Sequence, residues 1–234
     1  MPCIVLEGLD GSGKSLQAAR LADRLTAEGL PVLRLREPGG TRLGEALRAT
    51  VLDPATEACP MAEMFVFQAA RAQLCATVIA PALAEGRWVV LDRFWHSTIA
   101  YQCGGLGLPA DGVRAAIGLA TAGITIDAPL CICVDPGEAK ARREAARGPD
   151  RIERRGPDYQ RAVATAYGRM VAQGDLVPID GAGDVDAVAH RVWTAVQSLV
   201  GPNAAEARQH LIDAAKPWVA GRFPAEAASN SSGT

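Results

Sequence analysis

Short apolar runs alternate along the chain with longer segments whose apolar positions recur every three to four residues. "CIVLEG" near the N-terminus reads as a buried strand, and "KSLQAARLADRLTAEG" as a helix closed by Gly29. "LPVLRLRE" is a second strand, "TRLGEALRATVL" a short helix, and "PMAEMFVFQAARAQLCATVIAPALAEG" a long helix opened by Pro60 and ended by Gly86. "RWVVLDR", "APLCICVD" and "DLVPID" give a third, fourth and fifth strand, each followed by helical sequence. Strands separated by helices predict a five-stranded parallel sheet with helices on both faces, an α/β fold. In such sheets ligands bind beyond the carboxyl ends of the strands. One domain over residues 1–200 is expected. The remainder, 201–234, is an Ala-rich extension with room for a short helix, ending in a Ser/Asn/Gly tail expected to be disordered.

The first strand runs directly into "GLDGSGKS", residues 8–15, which fit the phosphate-loop pattern G-x-x-x-x-G-K-[ST]. Gly8, Gly11 and Gly13 let the backbone curl so that successive N–H groups, those of Asp10 and Ser12 included, face one centre. The helix that follows aims its positive end there, Lys14 reaches β- and γ-phosphates, and the Ser15 hydroxyl suits Mg²⁺. Lys14, Lys140 and Lys216 are the only lysines among 24 cationic residues, so a lysine at this position stands out from an Arg-biased background. The third strand ends in Asp92, the position from which a carboxylate completes a nucleotide–Mg²⁺ site.

The net charge of −2 gives no global field for nucleic acid or a membrane surface. Cys3, Cys59, Cys75, Cys103, Cys131 and Cys133 lack zinc or CxxC spacing and read as small hydrophobes. With no basic leader and no stretch taken to approach a membrane span, a soluble cytoplasmic protein is expected.

Arginines then separate into two groups. "KARREAARGPDRIERRGPDYQR" carries Arg142, Arg143, Arg147, Arg151, Arg154, Arg155 and Arg161 among acidic residues. It reads either as a salt-bridged surface hairpin or as a lid, about 140–157, whose guanidinium groups close over a triphosphate. Arg36 and Arg93 each follow a strand and, with Arg48, suit a second anion pocket. Two facing phosphate pockets describe a kinase for a phosphorylated acceptor.

"GLDGSGKS", "REPGGTRLGEALR", "EMFVFQAARAQL", "LDRFWHSTIAYQ" and "DRIE" resemble the bacterial thymidylate kinases in order and spacing over about residues 3 to 200. The resemblance implies a P-loop nucleoside monophosphate kinase fold with an arginine-rich lid, and ATP- and Mg²⁺-dependent conversion of dTMP to dTDP. It implies that Asp10 meets the deoxyribose 3′-hydroxyl, with Glu37 beside it, and that Arg36, Arg48 and Arg93 surround the 5′-phosphate. Phe67 would stack on thymine, Arg71 reach its O4 edge, Ser97, Thr98 and Gln102 bond around the base, and Tyr101 stand beside C2′. Because position 12 is Ser, the chain resembles the members that keep their catalytic arginine in the lid, with Arg143, Arg147 and Arg151 as candidates. His96 is read as structural, and a homodimer is implied. Leu106 stands where many members have Arg, "TAGITIDAPLCICVD" lacks the usual Pro-Asp-Leu-Thr, and the extension has no counterpart. A kinase for dUMP or a 5-modified analogue, a P-loop switch and a non-catalytic paralogue remain as alternatives at this stage.

Overall fold

A computed structural model describes residues 1–146, 150–200, 202–203 and 205–213. Five strands, β1 (Cys3–Glu7), β2 (Val32–Arg36), β3 (Trp88–Asp92), β4 (Ala128–Cys133) and β5 (Val177–Asp180), form one sheet in the order β2-β3-β1-β4-β5. Every pairing is parallel, as the alternation of strands and helices predicts. All five residues of β1 are buried, because helices cover both faces of a central strand.

The period-2 alternation of strand side chains sorts them onto two faces. Ile4, Leu6, Val90, Leu130 and Ile132 pack against α1 (Lys14–Ala27) and α9 (Val185–Leu199) through Leu21, Leu25, Val192 and Val196. Cys3, Val5, Val89 and Leu91 pack the other way, on Leu74, Ile79 and Phe94. A third cluster joins α3 (Pro60–Leu74), α6 (Ala110–Thr121) and α8 (Gly156–Gln173), centred on Val163 and Tyr167. Cys131 and Cys133 both lie in it, the shared face expected from their spacing. Thr41 caps α2 (Arg42–Leu52) by accepting from Gly44 N at 2.9 Å, and Asp184 caps α9 by accepting from Ala187 N at 2.7 Å.

The long helix predicted over 60–85 departs from regular geometry at Cys75–Ile79, a π-helical segment, before α4 (Ala80–Ala84). Pro81 lacks an N–H and crowds the carbonyl one turn back, so the ladder is interrupted there. Pro60–Ala84 as a whole spans 25 residues with a window of mean hydropathy 1.3, long and apolar enough by composition to cross a membrane. That corrects the expectation that no stretch approaches a span. Here the helix buries Glu63, Gln68 and Arg71 inside the protein, and Arg71 lines a cavity.

The helix α5 (Trp95–Thr98) continues into a second π-helical segment, Ile99–Gly105, which carries Tyr101 and Gln102. Leu106 packs on the third cluster. The expected lid corresponds in part to α7 (Pro136–Ala146) and the turn 150–155; Arg147 and the Gly148–Pro149 break lie outside the described residues. In the extension, residues 205–213 are helical, Arg208 donates to the carbonyls of Gly174 (2.9 Å) and Asp175 (3.2 Å), and Ile212 is buried. The tail expected to be disordered lies outside the described residues.

Candidate active site

The phosphate loop leaves β1 through Gly8 at φ 139° and turns through Gly11 at φ 89°. A Cβ on Gly8 would sit 2.6 Å from the Ile132 carbonyl oxygen, and one on Gly11 would collide with the Ala139 carbonyl of α7. Both positions therefore require glycine on conformational and steric grounds. Lys14 is buried at the start of α1, its Nζ donating to Leu9 O at 3.3 Å and to Asp10 Oδ1 at 3.4 Å. Burial and the Arg93 charge push its pKa down, against the pull of Asp10, Asp92 and Glu7.

Lys14, Ser15, Glu37 and Asp92 line one cavity at the carboxyl ends of β1, β2 and β3. Asp92 Oδ1 and Glu37 Oε1 are buried there without a hydrogen-bond partner among the described residues. An unpaired buried carboxylate oxygen carries a desolvation cost, and it is the ligand type a hard cation takes. The residues present thus fit Mg²⁺. Burial pushes the Glu37 carboxyl up despite its pairing with Arg71.

A second cavity brings together ten of the eleven side chains predicted for the acceptor. Asp10, Glu37, Arg48, Phe67, Arg71, Arg93, Ser97, Thr98, Tyr101 and Gln102 all line it. Arg36 is the exception; it pairs with Glu45 at 3.0 Å on the exposed rim and faces the neighbouring cavity with Arg48 and Arg93. Phe67 and Arg71, four apart on α3, reach the cavity from one helix face. Arg71 is fixed on three sides: Nε to Glu37 Oε2 at 2.8 Å, and Nη1 to Gln68 Oε1 at 2.8 Å and Thr98 Oγ1 at 3.0 Å.

Arg93 joins the two halves. Its backbone sits at φ 70°, a left-handed conformation that a non-glycine residue holds only when its surroundings over-determine it. Nη1 donates to Gly8 O, Ser97 Oγ and Tyr167 OH at 3.0–3.1 Å; Nη2 donates to Asp10 Oδ1 at 2.5 Å and to Tyr101 OH at 3.1 Å. Tyr101 OH in turn donates to Asp10 Oδ2 at 2.8 Å. Burial would raise the Asp10 pKa, but Arg93, Lys14 and the Tyr101 hydroxyl together hold it well below the usual carboxylate range.

Of the two candidate lid arginines among the described residues, Arg143 and Arg151, the structure brings Arg143 to the loop. It lines the donor side with Arg142, and its Nε is buried without a partner among the described residues. Arg151 instead pairs with Glu63, and its Nε donates to Val51 O at 2.7 Å. A fully buried carboxylate attracts it more strongly than a solvated approach to the loop. Arg147 lies outside the described residues. His96 is buried and stacked on Trp95 at 3.6 Å; burial, with Arg208 and Arg71 nearby, pushes its pKa to about 3, so the ring is neutral.

Sequence reasoning missed Glu7, which accepts from Phe94 N (2.8 Å), Ser97 N (3.2 Å), Ser97 Oγ (2.7 Å) and Tyr167 OH (2.8 Å). Its signal was a carboxylate ending an apolar strand. Gly181, Gly183 and Val185, which extend the donor side beyond Ser12 and Lys14, were also missed; the turn after β5 was their cue. Glu63 was legible in principle, since it lies one turn before Phe67 on the same face.

The sequence model of the family described as "Thymidylate kinase" matches residues 6–192. A thymidylate kinase of Chromobacterium violaceum is 43% identical over 170 residues, 73% of this chain and 80% of the relative. Those of Chlorobium luteolum and Prochlorococcus marinus (strain MIT 9303) are 40% identical over 173 residues and 39% over 206, covering 70% and 85% of this chain and 81% and 95% of the relatives. The crystal structure of thymidylate kinase from Ehrlichia chaffeensis superposes with a TM-score of 0.67 at 27% identity, covering 84% of this chain and 98% of that one.

Proposed function

We propose that this chain, which belongs to the thymidylate kinase family, transfers the γ-phosphoryl group of ATP to the 5′-phosphate of dTMP, giving dTDP and ADP. The observation that carries the reading is the Asp10–Arg93 contact, which makes the wall of the phosphate loop also the wall of the acceptor cavity. A donor phosphate on the loop and an acceptor phosphate in the cavity are then held against one another, the alignment that in-line transfer needs.

In this reading the loop N–H groups and Lys14 hold the donor phosphates, and Arg143 meets charge that develops on the moving group. Arg93, Arg48 and Arg36 orient the acceptor phosphate, which is already ionised near neutral pH and needs no general base. Phe67 stacks on the thymine, Arg71 donates to O4, Gln102, Ser97 and Thr98 complete the hydrogen bonds, and Asp10 and Tyr101 meet the sugar. Ser15 and Asp92 would hold Mg²⁺, which when bound neutralises phosphate charge. The kinase domain is read as 1–200.

Exposed Met61 and Phe65 on α3 and Leu119 on the adjoining α6 support a homodimer built on that face. The six unpaired cysteines suit a reducing, cytoplasmic compartment. The test is a coupled assay with ATP–Mg²⁺ against dTMP, dUMP, dCMP, dGMP and AMP. The reading requires kcat/KM to be highest for dTMP; a purine or cytosine acceptor in first place would overturn it.

A further inference from the structure

Glu63 lies in the first turn of α3 with no solvent exposure, and neither the phosphate loop nor the phosphate ligands contact it. Four donors converge on it. Arg151 Nη2 and Arg155 Nη2 pair with Oε2, Arg155 Nη1 donates to Oε1 at 3.0 Å, and Gln102 Nε2 donates to Oε1 at 3.1 Å. Burial alone would raise the Glu63 pKa, but Arg155, Gln102 and Arg151 bring it below the ordinary value. The group is therefore an ionised carboxylate at working pH, able only to accept.

That restriction acts on Gln102. An amide presents either its NH₂ or its carbonyl oxygen, and the choice belongs to whatever it bonds. With Nε2 committed to an acceptor-only partner, Oε1 is left for the cavity that Gln102 lines. Among the described residues no donor pairs with that oxygen, and it is not sealed off, so it stays accessible in a residue that lines the cavity. Across the same cavity Arg71 offers only donors. An acceptor beside a donor complements the N3–H and O4 of a thymine or uracil ring. Cytosine carries an acceptor at N3 and an NH₂ at C4, and so mismatches both.

Resting on the reading of Gln102 as a base-facing residue, we infer that Glu63 is a positioning residue for base selection: it locks the Gln102 amide with its carbonyl toward the base, and so excludes cytosine nucleotides. Arg151 and Arg155 keep Glu63 ionised and seated; their own contact with the base is not required.

The test compares kcat/KM for dTMP and dCMP at saturating ATP. In Glu63→Gln the residue at 63 is able to accept or donate, Gln102 is free to turn over, and the dTMP-to-dCMP ratio is expected to fall at least tenfold. A general structural defect lowers both acceptors together and leaves the ratio unchanged. Arg155→Met removes one of the two guanidiniums that hold Glu63 ionised and should lower the ratio less than Glu63→Gln does, because Arg151 and Gln102 still seat the carboxylate. Where Glu63→Gln alone fails to fold, Glu63→Gln/Arg155→Met removes the surplus buried charge and is read in its place. A ratio within twofold of wild type in the folded variant, while Gln102→Leu collapses it, overturns the role of Glu63 and leaves the base reading standing. An unchanged ratio in Gln102→Leu overturns the base reading and this inference with it.

Discussion

Replacing Arg93 by Ala removes more than a phosphate ligand, and the consequence is measurable without any substrate. Five hydrogen bonds from its two terminal nitrogens disappear, and Asp10 loses its nearest counter-charge while keeping Lys14 at 3.4 Å and the Tyr101 hydroxyl at 2.8 Å. Breaking a buried ion pair from one side costs about 3–5 kcal/mol. The remaining partners place this case at the lower end, about 3 kcal/mol, equivalent to a fall in Tm of about 6–12 °C for a domain of this size. The pH dependence identifies the cause. Asp10 is a depressed carboxyl in the wild type, so its contribution is present above the unfolded-state value near 4 and is lost as pH falls toward the folded value. Arg93→Ala lacks the Arg93 share of that contribution at the outset, while Lys14 and Tyr101 keep theirs. Urea unfolding from pH 7 to pH 3 should therefore show a gap of about 3 kcal/mol that narrows below about pH 4. A gap under 1 kcal/mol at pH 7, or one that stays constant down to pH 3, would falsify the Asp10–Arg93 account.

Three further outcomes follow from the site. Lys14→Ala should lower kcat by at least about a hundredfold, the scale for deleting one charge-stabilising donor, with circular dichroism unchanged; wild-type turnover would exclude Lys14 from the donor site. Phe67→Ala should weaken dTMP binding by about 1–3 kcal/mol in calorimetry, by analogy with base–aromatic stacking, while a lower Tm at unchanged affinity would make it a packing residue only. Gly11→Ala forces a Cβ onto the Ala139 carbonyl at positive φ, so ATP affinity should fall with α7 displaced; full affinity would mean the loop tolerates the shift.

The sheet was legible because its signals are local. Apolar runs such as "VVLD" end at turn residues, and alternation with helical periodicity fixes parallel pairing. Phe67 and Arg71 were legible because helical spacing places them on one face. The ion pairs were not: Arg93 meets Asp10 across 83 positions, and Arg151 meets Glu63 across 88. Nothing local tells an arginine in a charge-rich segment which distant carboxylate it will find. Arg151 was accordingly grouped with Arg143 as a candidate for the triphosphate, when the buried Glu63 of α3 takes it. The same holds for Glu7, whose four donors come from the segment after β3 and from α8. The break at Cys75–Ile79 carried a local sign in Pro81, which apolar periodicity alone concealed.

The central claim is that the phosphate loop and the Phe67–Arg71 cavity are donor and acceptor halves of one site. It is tested most directly by calorimetric titration with adenosine and thymidine joined 5′ to 5′ through five phosphates, against ATP and dTMP separately. The account predicts one compound bound per chain, more tightly than either nucleotide, with affinity lost in both Lys14→Ala and Phe67→Ala. Binding no tighter than ATP alone, and indifferent to Phe67, would contradict it.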